Sequence, residues 1–491
     1  MFVSLRDKKP GSAFLFCFIT GILFFSLSMY WITTTVTQYG DLHFTISLFL
    51  NLLLGSYLAL YFGLFGLLFA YLKRLKGINA ALIAAPGLWI TVEWLRGFIF
   101  TGFPWNLAAY SQYLFLPVIQ TGEFFGPYGL SWLIIAVNSS IVYIIFNKEE
   151  KSFQKKFAYP AIVMVLFLVN LIYGLLAIDR YPKESETKIA LIQGNANMEQ
   201  WRYNECEENL KKHLQMVIQA GRVGADLSVL SETSLRCFGF YPPSNFCDWM
   251  QKLSTESRVD IIFGSSTSDF GPDGKSRYYN SAVLLKPDGS KPQIYSKVHL
   301  VPFGEYIPYQ KILFFVDKFS KGVIGNFSPG KKFNVLTMTN GHKFGIGICY
   351  EILFPELMRK FTANGAEFLV NITNDTWYGD TVMPRHHFSF SVFRAVENRK
   401  YIIRSANSGI SGIVAPDGRI LEKSNLFTET IICRNIHPNQ IITFYAKYGD
   451  WLVYLNVLIL LIYSIGLLKK RLAENSKTTI ENVSSKRKNK K

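Results

Sequence analysis

Lys343–Glu356, KFGIGICYEILFPE, is the stretch on which the reading of this 491-residue chain turns. Its Ile-rich run alternating with Gly predicts a buried strand, and ELMRKF after it predicts a helix, so Cys349 falls at a strand end where a helix begins. A thiol at the head of a helix gains thiolate character from the unpaired backbone NH groups and the dipole. The same NH groups can receive an oxyanion during acyl transfer. Taken alone, Cys349 reads more readily as a buried structural cysteine, the usual state of a free thiol.

Two upstream stretches alter that balance. ADLSVLSET, 225–233, predicts a strand that delivers Glu232 to a turn. SAVLLKPDGSKPQIY, 281–295, predicts a hairpin turned by Pro287, Asp288 and Gly289, after which YSKVHLVPFGEYIP carries Lys297. Glu, Lys and Cys therefore each stand at or just past a strand end. A carboxylate to take the thiol proton, an ammonium to hold an oxyanion and a thiolate to attack a carbonyl make a complete acyl-transfer set. Lys297 precedes an apolar stretch where an unpaired ammonium is costly, so it requires acidic partners, and Glu305 and Glu351 fit that need. Each is also consistent with a plainer role: Glu232 as a cap, Glu305 and Glu351 as surface acids or a charge at a helix N-terminus.

Composition places this set beside a membrane. The chain is 49% hydrophobic with 41 Phe and only 18% charged residues, although its net charge is +17. Apolar runs at Ser12–Trp31, Phe44–Leu72, Ala80–Phe100, Leu130–Phe146, Tyr159–Ala177 and Trp451–Leu468 predict about six spans, since roughly 20 apolar residues cross a bilayer. The basic segments 6–9, 73–76, 148–156 and 469–491 alternate with loops 32–43 and 101–126, which contain no Lys or Arg. The positive-inside rule puts the basic segments on the cytoplasmic side and residues 180–448 on the other. The tail from Lys469 holds nine Lys or Arg against two Glu and predicts a disordered segment able to touch anionic lipid. Within the third span Glu93 and Arg96 share a helical face and are expected to pair with each other or to meet a lipid headgroup. The aromatic loop 101–126 is expected to lie along the membrane surface, and Phe314 with Phe315 to form a hydrophobic loop that dips into it or a core helix.

The divisions expected are therefore 1–179 (about five spans), 180–448 (a soluble, extracytoplasmic α/β domain), 449–468 (a last span) and 469–491 (the basic tail). Gly-rich phosphate loops, metal-spaced His and Cys clusters and nucleic-acid motifs are absent from the sequence. His386 and His387 form an isolated pair better suited to structure than to a metal, and no cofactor, metal or nucleic acid is expected. Cys17 lies in a span; with Cys349 free, Cys206, Cys237, Cys247 and Cys433 leave three possible disulfide pairings in an oxidising compartment.

The order Glu, Lys, Cys within LSET, SKVHLVPFGEYIP and GICYEILFPEL, together with LIQGN at 191–195, YNSAVLL at 279–285, NDTWYGD at 374–380, RAVENRKY at 394–401 and SANSGISGIVAPDG at 405–418, resembles the apolipoprotein N-acyltransferase family. That family is the membrane branch of the nitrilase, or carbon-nitrogen hydrolase, superfamily. The resemblance implies a nitrilase-like α-β-β-α sandwich with Glu232, Lys297 and Cys349 catalytic, Glu305 and Glu351 supporting, and the Tyr350 NH as oxyanion donor. It also implies Trp201, Asn280 and Trp377 near the acyl or headgroup site, positions equally consistent with packing or turn hydrogen bonding. The implied reaction passes an acyl chain from a membrane phospholipid through a Cys349 thioester to the α-amino group of an S-diacylglyceryl-cysteine apolipoprotein, at the periplasmic face of a bacterial inner membrane. A membrane-tethered amidase of the nitrilase type, or a non-enzymatic scaffold or transporter, are the alternatives. The chain departs from the family pattern in having Ser231 where Pro is usual before the Glu and His386 where Gln is usual. It also lacks a further pair of hydrophobic segments before Ser12, which leaves the sidedness unchanged.

Overall fold

The computed structural model describes residues 1–180, 187–196, 206–235, 239–272, 274–309, 325–463 and 465–466. The readings of Trp201, Cys237, the Phe314–Phe315 loop and the basic tail fall outside the described residues.

The first part of the chain is a helical bundle. Helices α1 (Pro10–Ser28), α2 (Trp31–Gln38), α3 (Phe44–Lys76), α4 (Ile78–Arg96), a short α5 (Leu116–Ile119), α6 (Gly122–Phe146) and α7 (Phe153–Ala177) follow one another. Five of these, α1, α3, α4, α6 and α7, are long and apolar enough to cross a membrane. Leu27, Ile172, Leu175 and Leu176 stand exposed on α1 and α7, an all-round apolar surface that a bilayer, not water, accommodates. Pro10 opens α1 at a position where its missing NH costs nothing, and Lys73, Arg74 and Lys76 close α3 against the negative end of its dipole. In α6 the helix breaks at Gly126, φ +61°, where a Cβ would sit 2.4 Å from the Tyr445 ring. A side chain there would collide with the second half of the protein.

Two expectations about the bundle change. The run expected to be one span over Ser12–Trp31 ends at Ser28 and restarts as α2, because Trp31 turns inward to pack on Trp105 and Tyr378, with ring centroids 5.2 Å apart in both cases. The 101–126 loop does not simply lie on the membrane: Trp105, Ala109, Tyr110, Val118 and Ile119 are buried beneath the second half of the chain, while Phe98, Phe100, Leu114 and Phe115 remain exposed. The last apolar run forms a helix over Trp451–Tyr463 within the described residues, shorter than the other five.

From Thr187 the chain alternates strands and helices: β1 (Thr187–Gln193), α8 (Cys206–Arg222), β2 (Leu227–Leu230), α9 (Asn245–Ser257), β3 (Asp260–Phe270), β4 (Ser276–Leu285), β5 (Gln293–Ser296), β6 (Val335–Thr337), β7 (Lys343–Ile348), α10 (Pro355–Ala363), β8 (Phe368–Thr373), α11 (Met383–Asn398), β9 (Ile402–Ala406), β10 (Gly412–Val414), β11 (Ile420–Lys423), β12 (Thr430–Ile436) and α12 (Phe444–Tyr448). They build two six-stranded sheets, β12-β1-β2-β3-β4-β5 and β11-β10-β9-β8-β7-β6. Alternation along the strands explains the layering. Ile189, Leu191, Leu227, Val229 and Ile262 of the first sheet share one core with Ile346, Ile348, Val370 and Ile372 of the second. The opposite-facing Ile192, Leu230, Ile261 and Phe263 pack on Leu210 and Val217 of α8 and Phe246 and Met250 of α9. Helices α10 and α11 cover the outer face of the second sheet, which gives the expected α-β-β-α sandwich. Helices α11 and α12 then rest on α6, so the second sheet's helical layer is the side that meets the bundle.

Candidate functional site

The residues read from the sequence converge where β2, β5 and β7 end, beside the middle of β4. Glu232 follows β2 by two residues, and its approach to β3 requires Gly264, where a Cβ would lie 2.8 Å from the Glu232 Cα. Its Oε1 accepts from Asn280 Nδ2 at 2.8 Å, and its Oε2 accepts from the Asn374 backbone NH at 3.1 Å. Lys297, just past β5, is 1% exposed; its Nζ donates to Glu305 Oε1 at 2.9 Å and lies 3.7 Å from Glu232 Oε1. Cys349 follows β7 directly, is buried, and stands close enough to the Glu232 carboxylate for that charge to act on its thiol. Glu232, Lys297 and Cys349 thus form one cluster with Glu305 beside it.

Burial dominates the electrostatics. It raises the Glu232 carboxyl above the ordinary glutamate value; Lys297 opposes this and Glu305 adds to it. Burial would pull the Lys297 ammonium down, but Glu305 and Glu232 outweigh it and hold the ammonium above its ordinary value. The Cys349 thiol is pushed up, first by burial and then by the Glu232 carboxylate, with Lys297 working against both. This corrects the expectation of a thiolate favoured by a helix head. Cys349 begins a five-residue 3-10 turn, Cys349–Leu353, and α10 starts only at Pro355. So short a turn has little dipole to offer, and the resting thiol keeps its proton until a base removes it.

Glu305 and Glu351, both read as partners for Lys297, divide. Glu305 makes the contact, and its Oε2 accepts from the Val301 NH at 2.7 Å. Glu351 is wholly buried and its carboxylate is committed elsewhere: Oε1 accepts from Tyr295 Oη at 2.8 Å, Val298 N at 2.7 Å and His299 N at 3.0 Å, and Oε2 from Ile348 N at 2.7 Å. Burial pushes it up to about 7 against those donors. Glu351 therefore ties the segment after Lys297 to the turn that carries Cys349, with the Lys297 charge acting on it without a direct ion pair. Asn280 is committed too, since its Nδ2 also donates to Glu305 Oε1 at 2.7 Å. It joins the two carboxylates. Tyr350 donates its hydroxyl to the Gly102 carbonyl of the bundle at 3.2 Å. Trp377 is half-buried, its ring 5.8 Å from that of Tyr39 just past α2.

Asp375 and Arg404 escaped the sequence reading, and His387 was read there only as structural. Asp375, His387 and Arg404 are buried together behind Cys349, with Asp375 Oδ1 2.9 Å from His387 Nδ1 and Asp375 Oδ2 2.8 Å from Arg404 Nη2. Although burial opposes it, Arg404 and His387 hold the Asp375 carboxyl at about 2. Their signal was available in NDTWYGD and RSANSG, but nothing in the spacing links positions 375, 387 and 404. Glu93 and Arg96, expected to pair with each other or to meet a lipid headgroup, form no direct ion pair and each holds the loop: Arg96 Nη1 donates to the carbonyls of Phe103 (3.2 Å) and Trp105 (2.5 Å), and Glu93 accepts from the Ala108 NH at 2.8 Å. Cys206 is disulfide-bonded, whereas Cys17, Cys247, Cys349 and Cys433 are free. Among the described residues no group of three or more His, Cys, Asp or Glu is arranged to hold a metal ion.

Comparison with known proteins agrees with this architecture. Residues 188–445 match the carbon-nitrogen hydrolase family and residues 1–140 match the apolipoprotein N-acyltransferase N-terminal domain. An apolipoprotein N-acyltransferase from Geobacter metallireducens is 38% identical over 90% of this chain and 84% of its own length, and one from Haemophilus ducreyi is 30% identical over 92% and 87%. Among solved structures, Saccharomyces cerevisiae Nit3, a member of branch 10 of the nitrilase superfamily, is 21% identical, with a TM-score of 0.40 over 52% of this chain and 91% of its own. With both halves matched in order and a curated relative at 38% identity, the chain belongs to the apolipoprotein N-acyltransferase family, within the carbon-nitrogen hydrolase superfamily.

Proposed function

We propose that the protein N-acylates apolipoproteins by way of a thioester on Cys349. The observation that carries this reading is the buried Glu232–Lys297–Cys349 cluster walled by the bundle, through Gly102 against Tyr350 and Trp105 against α11. Glu232 removes the Cys349 proton as sulfur attacks the ester carbonyl of a phospholipid, and Lys297 with the Tyr350 backbone NH holds the tetrahedral oxyanion. Collapse expels the lysophospholipid alkoxide, which takes the proton from Glu232 and leaves the acyl group on sulfur. The α-amino group of an S-diacylglyceryl cysteine then attacks the thioester and gives a proton to Glu232. The departing thiolate recovers that proton as the amide forms.

Burial favours this sequence over hydrolysis, because a thioester at a buried sulfur is shielded from water. The exposed Phe98 and Phe100 lie just before the Gly102 contact, where an acyl chain can approach from lipid. Residues 1–179, 180–448, 449–468 and 469–491 act as bundle, catalytic domain, last span and tail. The charge distribution supports a bacterial inner membrane with the catalytic domain in the periplasm. Trp377, and Trp201 beyond the described residues, are assigned to the substrate's rim.

Intact-mass analysis of the full chain in detergent after incubation with phosphatidylethanolamine tests the reading. An acyl-sized gain released by hydroxylamine and absent from Cys349→Ser and Glu232→Gln is expected. No gain in folded wild type with an alkylatable Cys349 would overturn it.

A further inference from the structure

We propose that His387 is a positioning residue that aims the oxyanion-binding NH of Tyr350, and that it does so by gripping the carbonyl of Cys349. This rests on the reading of Cys349 as the nucleophile. Cys349 has φ +50°, the left-handed region that a residue with a Cβ enters only at a cost of roughly 1–2 kcal/mol. Such a conformation persists only when its surroundings enforce it. The enforcement visible here acts on the Cys349–Tyr350 peptide: His387 Nε2 lies 3.3 Å from the Cys349 carbonyl oxygen, and Asn371 Nδ2 donates to the same oxygen at 3.4 Å and to Gly347 O at 2.9 Å.

A trans peptide is planar, with its C=O and N–H pointing in opposite directions. Whatever holds the Cys349 oxygen therefore fixes the direction of the Tyr350 NH. A hydrogen bond to the oxygen also polarises the amide and strengthens its NH as a donor. A carbonyl can only accept, so Nε2 of His387 carries the proton. On the far side of the neutral ring, Nδ1 then accepts from Arg404 Nη2 at 3.0 Å, and Arg404 is itself held by Asp375, whose Oδ1 lies 2.9 Å from the same nitrogen. Arg404 Nη1 also hydrogen-bonds Asn371 Oδ1, so both groups on the Cys349 oxygen are oriented by one guanidinium. Asn371, Asp375, His387 and Arg404 are all at most 1% exposed, so water does not compete for these bonds. The Trp105 ring, 6.2 Å from the imidazole, covers its remaining face, and Arg96 of α4 holds the Trp105 carbonyl. The membrane bundle thus reaches the nucleophile's peptide through one histidine.

The test compares His387→Gln with His387→Asn in the full chain. Gln can place its amide nitrogen near the position of Nε2; Asn reaches only that of Nδ1. Both are measured in detergent with phosphatidylethanolamine and a diacylated lipopeptide for kcat and KM, for first-turnover acylation of Cys349 by intact mass, and for alkylation by iodoacetamide, a reaction that builds no oxyanion. His387→Asn should lose about tenfold to 10²-fold in kcat and in acylation rate with KM and alkylation within about twofold of wild type, and His387→Gln should recover most of the loss. The proposal is overturned if Asn performs as well as Gln, or if alkylation falls in step with acylation, since that marks a general collapse of the turn. Wild type that forms no acyl adduct brings down the nucleophile reading and this inference with it; wild type that acylates beside two unaffected variants brings down only the role of His387.

Discussion

The backbone NH of Asn374 donates to Glu232 Oε2 at 3.1 Å, and through that bond the second sheet steadies a carboxylate delivered by the first. Glu232 therefore has one oxygen held by each half of the sandwich, which leaves it fixed yet able to take a proton from Cys349. Glu232→Gln preserves shape and removes the base. Acylation of Cys349 should fall about 10³-fold, measured as single-turnover thioester formation, while the melting temperature moves by only a few degrees.

Asn280 donates to Glu232 and Glu305 together. Replacing it with Ala leaves two buried carboxylates short of a donor and should cost about 1–3 kcal/mol of stability, read from chemical unfolding, along with a loss of activity. Asn280→Asp should be the worse enzyme, because a third carboxylate competes for the Lys297 ammonium.

Glu305 is the nearer acidic partner of Lys297, and Glu305→Gln removes that charge without changing the side chain's length. The ammonium then turns towards Glu232, the base it must leave free. A loss of about 10²-fold in kcat is expected, with the iodoacetamide alkylation rate of Cys349 shifted as well; an unchanged kcat would show that Glu305 only packs.

The rate of Cys349 acylation should rise with pH through a limb that lies above the ordinary glutamate value, because burial raises Glu232 and the base must be ionised to act. A pH–rate profile of single-turnover acylation locates the limb, and a rate flat down to the ordinary glutamate value would contradict the assignment.

Asp375 gives a stability signature of its own. Its folded value, about 2, lies below the ordinary 3.8, so its contribution is fully present above pH 4 and is lost as pH falls towards 2. Asp375→Asn should be less stable than wild type at neutral pH, and the gap should narrow by about 2 kcal/mol between pH 5 and pH 2. Tryptophan-fluorescence unfolding at a series of pH values follows both proteins.

What the sequence made legible was whatever depends on local pattern. Alternation in KIALIQ and ADLSVLS, the Pro-Asp-Gly turn and the apolar runs place strands, hairpin and spans, and strand ends then nominate Glu232, Lys297 and Cys349. Contacts made by side chains across the fold were not legible. Glu351 stands two residues from Cys349 and looks like a charge for Lys297, but it accepts from four donors, three of which reach it from Tyr295, Val298 and His299, more than fifty residues away in the chain. Asn280 and the buried Asp375, His387 and Arg404 belong to the same class. The aromatic loop misled because its composition suits a membrane surface as well as it suits a buried seam, and Glu93 with Arg96 misled because three-residue spacing suggests a pair when each has a backbone group to hold.

The loop held by Glu93 and Arg96 has a practical meaning for anyone handling the protein. A fragment beginning near Thr187 would be cut off from Gly102, the acceptor of the Tyr350 hydroxyl, and from Trp105 and Tyr110, which cover α11. The piece that closes that face is supplied by the helical bundle. Expression of the outer half alone should therefore yield a sticky, inactive product, and a detergent that loosens α4 should silence the thiol before it unfolds either sheet.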